Sequence, residues 1–486
     1  MDSQENPSRK IVPIAPAAAA DGAAGDSTQE VISLYVAHKK IYPRSVQGIF
    51  AYWRWILVFA TQLVFYGLPW LEWGQRQAVL FDLGARRFYI FGLVLYPQDF
   101  IYLTAILVIS AFSLFLFTAV AGRLWCGFAC PQTVYSEIFL WIERKIEGDR
   151  TARMKLDNSS LSLEKFFKKS YKHIVWIGIA MWTGFTFVGY FTPIRDLAVE
   201  FITGSMSSWE IFWVFFYAFA TYGNAGFMRE QVCKYMCPYA RFQSAMFDKD
   251  TMIVTYDQAR GEPRGPRSKK ADPAALGLGS CVDCSLCVQV CPTGIDIRKG
   301  LQYECIGCGA CADVCDEVMD KVGYPRGLVK YSTQNGMANG WSVQQMVRRA
   351  FRPRVLVYTS ILGLITLAVV VSLYLRTPLK VDVIRDRGAL ARMVEKGRVE
   401  NVFRLQVMNA TEHTQRYRIS VSGLPGIMIA SDTEVEVLPT EVRSAVLRVQ
   451  VPPGAPAGSH AIHFDVRSMG DEVAQVSEKA AFLVPR

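Results

Sequence analysis

Two stretches of the chain, CVDCSLCVQVCP (281–292) and CIGCGACADVCD (305–316), share the spacing C-x2-C-x2-C-x3-C, with 13 residues between the two cysteine runs. Three closely spaced thiolates in one loop can hold three corners of an iron–sulfur cubane, while the fourth reaches toward a neighbouring cluster. The expected ligand sets are therefore Cys281, Cys284, Cys287 and Cys315 for cluster 1, and Cys305, Cys308, Cys311 and Cys291 for cluster 2. Structural zinc uses pairs of C-x2-C rather than a triplet plus one. The spacing thus points to two [4Fe–4S] clusters, a one-electron wire that needs a donor and an acceptor. Pro292 closes the first run, and Asp316 stands at that place in the second. Gly294, Gly307 and Gly309 let the backbone pass close to sulfur and offer N–H donors.

Four further thiols lie upstream. LWCGFACPQ (124–132) and QVCKYMCPY (231–239) each carry a CxxxCP motif, and both cysteines of the second copy are offset by 107 residues from the first. Pro131 and Pro238 disfavour helical dihedrals at Cys130 and Cys237, so each pair is expected where a helix breaks. Two such hairpins related by pseudo-symmetry would bring Cys126, Cys130, Cys233 and Cys237 together. Four soft ligands suit copper(I), zinc or an iron–sulfur centre. Transient disulfides and inert, buried cysteines are the alternatives.

The elements that must position these residues are largely membrane helices. The chain has 486 residues, of which 51% are hydrophobic and 13% aromatic. Five stretches approach the roughly 20 apolar residues that a bilayer crossing needs. They lie near 50–71, 99–122, 173–193, 209–228 and 355–375. Lys and Arg number ten in 123–172 and eighteen in 229–354, but three in 72–98 and one in 194–208. The positive-inside rule then puts 123–172 and 229–354 in the cytoplasm and the C-terminal portion across the membrane. All 12 cysteines lie between 126 and 315, beside the segments expected on the reducing side, which suits metal ligation rather than disulfides. The net charge of +10 is ordinary for such a protein, and no basic helix or aromatic-interleaved patch supports a nucleic-acid partner. Arg54 and Arg123, at helix ends, are expected to snorkel toward headgroups.

The expected organisation is a disordered tail over 1–30, with no signal peptide, then a membrane domain over 31–256 with four spans and both CxxxCP motifs. A basic, Gly- and Pro-rich linker (257–273) leads to a ferredoxin module (274–330), and a connector with the last span follows (331–375). Residues 376–486 alternate apolar and polar side chains between turn signals and read as a small β-sandwich, with no helix beyond about 388–396. There Asn409-Ala410-Thr411 matches a glycosylation sequon by chance, and His460 and His463 would face opposite sides of a strand. The fold class is thus a polytopic α-helical membrane protein of about five spans, with an inserted two-[4Fe–4S] ferredoxin-like module and a C-terminal all-β sandwich.

The ordered set of KIYPR (40–44) before the first span, CxxxCP twice, the paired cluster runs, a last span and a terminal β domain resembles the CcoG/FixG/RdxA family. These are bacterial accessory factors for cbb3-type cytochrome c oxidase. The resemblance runs from about 31 to 486 and implies an immunoglobulin-like terminal domain, a multi-pass protein of the bacterial inner membrane and a periplasmic sandwich. It further implies a cupric reductase, with copper as substrate near Cys126, Cys130, Cys233 and Cys237. Its partners would be membrane lipid, a copper ion or copper chaperone, oxidase assembly factors and an unidentified electron donor. A quinol-linked relay similar to NapH, and a non-enzymatic copper or assembly scaffold, are the competing readings.

Overall fold

The computed structural model describes residues 40–267, 276–386, 388, 391–470 and 474–485. The expected tail over 1–30 lies outside them. Among the described residues, three helices are long and apolar enough to cross a membrane: Ile49–Trp70, Pro97–Ala121 and Pro353–Tyr374. The first contains α1 (Ile49–Gly67) and the second α2 (Phe100–Ala121). Five spans were expected. The third and fourth stretches form α6 and α8, whose composition differs from that of the other three. In chain order α3 (Leu124–Phe128), α4 (Pro131–Glu147) and α5 (Arg150–Asn158) come first. Then come α6 (Leu163–Val188), α7 (Ile194–Thr203) and α8 (Ser208–Thr221). The first turns of α6 carry Lys165, Lys168, Lys169 and Lys172, and α8 widens after 14 residues into a π-helix over Tyr222–Met228. α6 and α8 cross closely: a Cβ on Gly184 would lie 2.3 Å from the Val214 carbonyl oxygen. Small residues at such crossings let helix backbones approach.

The last helix runs antiparallel to α2. Tyr102 Oη meets Ser372 Oγ at 2.8 Å near one end, and Arg352 Nη2 donates to the Ala119 carbonyl at 2.6 Å near the other. The cysteine-rich module and the β-sandwich therefore lie at opposite ends of this pair. The module is closed by an antiparallel ribbon, Ile253–Tyr256 with Val329–Ser332, and by the helix Ala310–Val322.

The sandwich has two antiparallel sheets. One is ordered Met428–Ile429, Val442–Val451, Val399–Asn409 and Leu379–Arg385, with Arg392–Met393 added to the third strand. The other is ordered Glu434–Val437, Gln415–Ser422, Gly458–Ser468 and Gln475–Val484. Phe403, Leu405 and Val407 are fully buried while Arg404 points outward, the alternation a half-buried strand requires. They pack on Phe464 and Phe482 of the facing sheet. The helical stretch allowed at 388–396 is instead the strand Arg392–Met393 and a single 3-10 turn at Glu395–Gly397, because pairing with Val399 and Glu400 competes with helix there. Residues 387, 389 and 390 lie outside the description. Asn409 is wholly buried and its amide donates to the His413, Val437 and Leu438 carbonyls, so the sequon is structural. His460 and His463 sit on opposite faces of their strand, one beside buried Ile462 in phase and the other out of it.

Two features depart from the expected plan. Residues 72–98 form a three-stranded sheet, Val79–Asp82, Arg87–Ile90 and Leu93–Leu95, whose Leu80, Tyr89, Val94 and Tyr96 pack with Met408 of the sandwich. Residues 257–267, expected as a free linker, are fastened to the module. Arg267 donates to the Tyr324 hydroxyl and the Cys281 carbonyl, and Arg260 to the Arg326 carbonyl. Its guanidinium groups find carbonyl acceptors that a solvated linker would lack. The remainder of that stretch, from 268, lies outside the described residues.

Candidate redox site

Each proline fixes its neighbour as expected from backbone sterics. Cys130 (φ −62°, ψ 131°) and Cys237 (φ −76°, ψ 111°) are extended, and Pro131 and Pro238 open the helices that follow. The two copies are not equivalent, however. In the first pair Cys126 sits in the five-residue α3 and Cys130 follows it, whereas in the second Cys233 sits on a π-helical turn, Val232–Met236, and Cys237 follows it. Such π segments are frequent at functional sites.

Cys126 and Cys233 both pack against a small core of Val290, Ile306, Cys308, Ala310 and Val314. Gly127, inside CGFAC, lies directly on the second cluster run: a Cβ there would sit 2.7 Å from Cys308 Cα and 2.8 Å from its amide nitrogen. Cys126 Sγ also meets the amide of Gln243 at 3.4 Å. Gln243 is fully buried and reaches Thr118, which bonds the Tyr239 hydroxyl. Burial pushes the Cys126 thiol up to about 11 and the Cys233 thiol up to about 12, and neighbouring thiols of the quartet push further in the same direction. Both are therefore protonated thiols at neutral pH until a soft cation displaces the proton.

The four thiols of the two motifs lie near one another: Cys130 and Cys237 each raise both Cys126 and Cys233.

The eight cysteines of the two runs surround two cavities. Cys281, Cys284, Cys287 and Cys315 line one of about 380 Å³, with Leu286, Val314, Val318 and Leu328. Cys291, Cys305, Cys308 and Cys311 line another of about 340 Å³, with Val254, Ile295, Ile297 and Ile306. Cys287 borders both. Four sulfurs on apolar walls fit a cubane, whose separate iron corners each take one thiolate. The amide of Gly307 points to Cys305 Sγ at 3.4 Å, a donor of the kind that tunes such sulfurs. Gly307 (φ +67°) and Gly309 (φ +72°) supply the left-handed backbone that the tight run needs.

Arg54 and Arg123 do not snorkel. They are 6% and 7% exposed. Arg54 Nη1 donates to the Cys308 carbonyl at 3.4 Å and faces Glu137 at 3.9 Å. Arg123 donates to the Tyr303 and Ala240 carbonyls. Carbonyls within the fold accept from both guanidinium groups, so both arginines turn inward. Asp313, just past Cys311, accepts from the amides of Phe50 and Ala51 at 3.1 and 2.8 Å and so caps the start of α1. Neither Asp313 nor Gln243 stood out in the sequence. Asp313 had one signal, its place in the second cysteine run.

Beside the site, Glu143 is buried against Arg229 (2.9 Å), Arg153 (3.2 Å) and Lys172 (3.7 Å). Burial alone would raise its carboxyl, but Arg229, Lys172 and Arg153 outweigh it and hold it below the ordinary 4.5. A carboxyl depressed in the folded state stabilises fully above its unfolded pKa and loses that contribution as pH falls through the folded value. Thermal unfolding in detergent should therefore be flat from about pH 8 to 6 and drop below about pH 4.5, and Glu143→Gln should flatten that drop. An unchanged acid limb in the variant would remove Glu143 from the account.

The two cavities describe an iron–sulfur protein of the two-cluster ferredoxin type, built onto a membrane domain. Family comparison agrees. Residues 228–334 match a 4Fe-4S dicluster domain, and residues 103–148, which include Cys126 and Cys130, match a 4Fe-4S binding domain. Residues 369–485 match the IG-like fold at the C-terminal of FixG. Nitrogen fixation protein FixG of Rhizobium meliloti is 38% identical over 423 residues, covering 81% of each chain. Protein RdxB of Cereibacter sphaeroides is 37% identical over 454 residues, covering 91% of this chain and 95% of its own. The ferredoxin-type protein NapH of Haemophilus influenzae is 23% identical and covers 45% of this chain and 68% of its own. A crystal structure of a FixG-related protein from Vibrio parahaemolyticus aligns with 22% of this chain and 97% of its own, at 27% identity and a TM-score of 0.20. The chain belongs to the FixG/RdxA family.

Proposed function

We propose that the protein is a membrane-bound cupric reductase whose product, copper(I), serves assembly of a cbb3-type cytochrome c oxidase. Cys281, Cys284, Cys287 and Cys315 would hold one [4Fe–4S] cluster, and Cys291, Cys305, Cys308 and Cys311 the other. Such clusters supply one-electron exchange when bound. Reduction of Cu(II) takes one electron and breaks no bond, so the chain needs no acid–base or nucleophilic group. The observation that carries this reading is the seat of Gly127 on Cys308, which brings the first thiol pair against the second cysteine run. Buried thiols favour copper(I), the softer product, over copper(II). Copper would be held by the thiols of the two motifs and passed on to a chaperone or an assembly factor. The module would face the cytoplasm and the sandwich the periplasm, in line with the Lys and Arg distribution.

The test is Cu(II) reduction by anaerobically reduced protein, with copper(I) read by a chelating dye. Cys126→Ser and Cys233→Ser are each expected to lower the rate at least tenfold while iron content stays at the wild-type level. Wild-type rates in both variants would exclude the thiol pairs and leave a relay to another protein.

A further inference from the structure

The two cysteine sets differ in what surrounds them. Cys284 of the first set is exposed, and Asp283 and Arg264 beside it are partly open to solvent. The second set is wrapped by the membrane domain on several sides. Gly127 lies on Cys308, and a Cβ on Gly309 would strike the Phe50 ring at 2.7 Å. Arg54 and Arg123 both reach carbonyls of this lobe, at Cys308 and Tyr303. Arg298, the cation lining the first cavity, is instead locked to Asp296 at 2.8 Å and to Asp283. Arg123 makes its two bonds to neutral carbonyls, so its charge is left for whatever the second set holds.

We infer that the fold gives the wire a direction. Electrons enter at the Cys284 loop from a water-soluble one-electron carrier and leave at the Cys308 loop toward the membrane thiols, with Arg54 and Arg123 as positioning residues that hold up the potential of the exit centre. In each transfer the carrier is oxidised by one electron and the entry centre is reduced by one. The exit centre then takes that electron, and the final acceptor gains it. No proton is required. An added electron makes a cluster more negative, so nearby cations favour its reduced form, Arg123 more than Arg54, which Glu137 partly offsets at 3.9 Å, and net charge is one of the terms that set such potentials.

This inference rests on the iron–sulfur reading above but not on copper, which is left out of the experiment. The full-length protein is titrated anaerobically and its two cluster signals are followed by electron paramagnetic resonance, with and without an aqueous dysprosium chelate. The chelate should speed the relaxation of one signal, the entry centre. Arg123→Gln should shift the reduction equilibrium of the other signal about tenfold toward the oxidised form, which is 59 mV for one electron. Arg123→Lys, which keeps the charge, should restore most of it. If Arg123→Gln does not assemble, Arg54→Gln is read for a smaller shift in the same direction, because Glu137 partly offsets that cation. The inference is overturned if both effects fall on one signal, if the chelate relaxes both equally, if neither arginine moves a potential, or if no cluster signal exists.

Discussion

Gly127→Val is expected to empty the second cysteine cavity while leaving the first intact. The Cβ of any larger residue would lie 2.7 Å from Cys308 Cα and 2.8 Å from its nitrogen, and both are backbone atoms of a tight run with no side chain to swing aside. Overpacking of this kind costs roughly 1–3 kcal/mol when the surroundings can shift. Here the shift displaces a ligand-bearing loop, so the outcome is loss of the cluster rather than a small drop in stability. Iron and acid-labile sulfide should fall to about half of wild type, and copper reduction should fall at least a hundredfold. Gly178→Ala in α6 serves as the control. Its Cβ would meet nothing within 4 Å, and alanine in a helix is favoured over glycine by about 1 kcal/mol. A Gly127→Val protein with full iron content would show that the packing of the first CxxxCP motif on the module is dispensable.

Asp99→Ala should produce the largest loss of stability. Asp99 is 3% exposed and bonds Arg376 at 2.7 Å and Lys380. It also accepts from the Tyr96 amide at 3.0 Å. Arg376 follows the last helix and Lys380 opens the sandwich, so one carboxylate joins the start of α2 to the domain beyond the last helix. Removing one partner of a buried ion pair typically costs 3–5 kcal/mol, because the remaining charge is left without compensation. The variant should melt earlier in detergent, and amide exchange should rise across Leu379–Arg385 before it rises in the facing sheet. Unchanged melting together with unchanged exchange would mean that the Tyr96 hydroxyl, which donates to the Asn409 carbonyl at 2.9 Å, holds the junction without Asp99.

Much of this architecture was legible in the residues themselves. Cysteine spacing is a local code, and Pro131 and Pro238 constrain only their immediate neighbours, so the helix breaks could be placed. The alternation in Val399–Asn409 similarly marked a half-buried strand. What was hidden depends on contacts between distant segments. Arg54 read as a snorkelling cation because its sequence neighbours are apolar, and its partner carbonyl lies 254 residues away at Cys308. Asp313 caps a helix by accepting from the amide of Phe50, 263 residues earlier. The short strands within 72–98 owe their burial to Met408, which no local window includes. The π-turn that makes the second CxxxCP copy different from the first has no sequence signature.

The junction around Asp99 and Tyr96 has a mechanical consequence. With the sandwich bolted both to the entry of one bilayer-crossing helix and to the exit of another, it has no free hinge on which to swing. It is held at a set height and tilt relative to that helix pair, like a fitting on a bracket rather than a float on a tether.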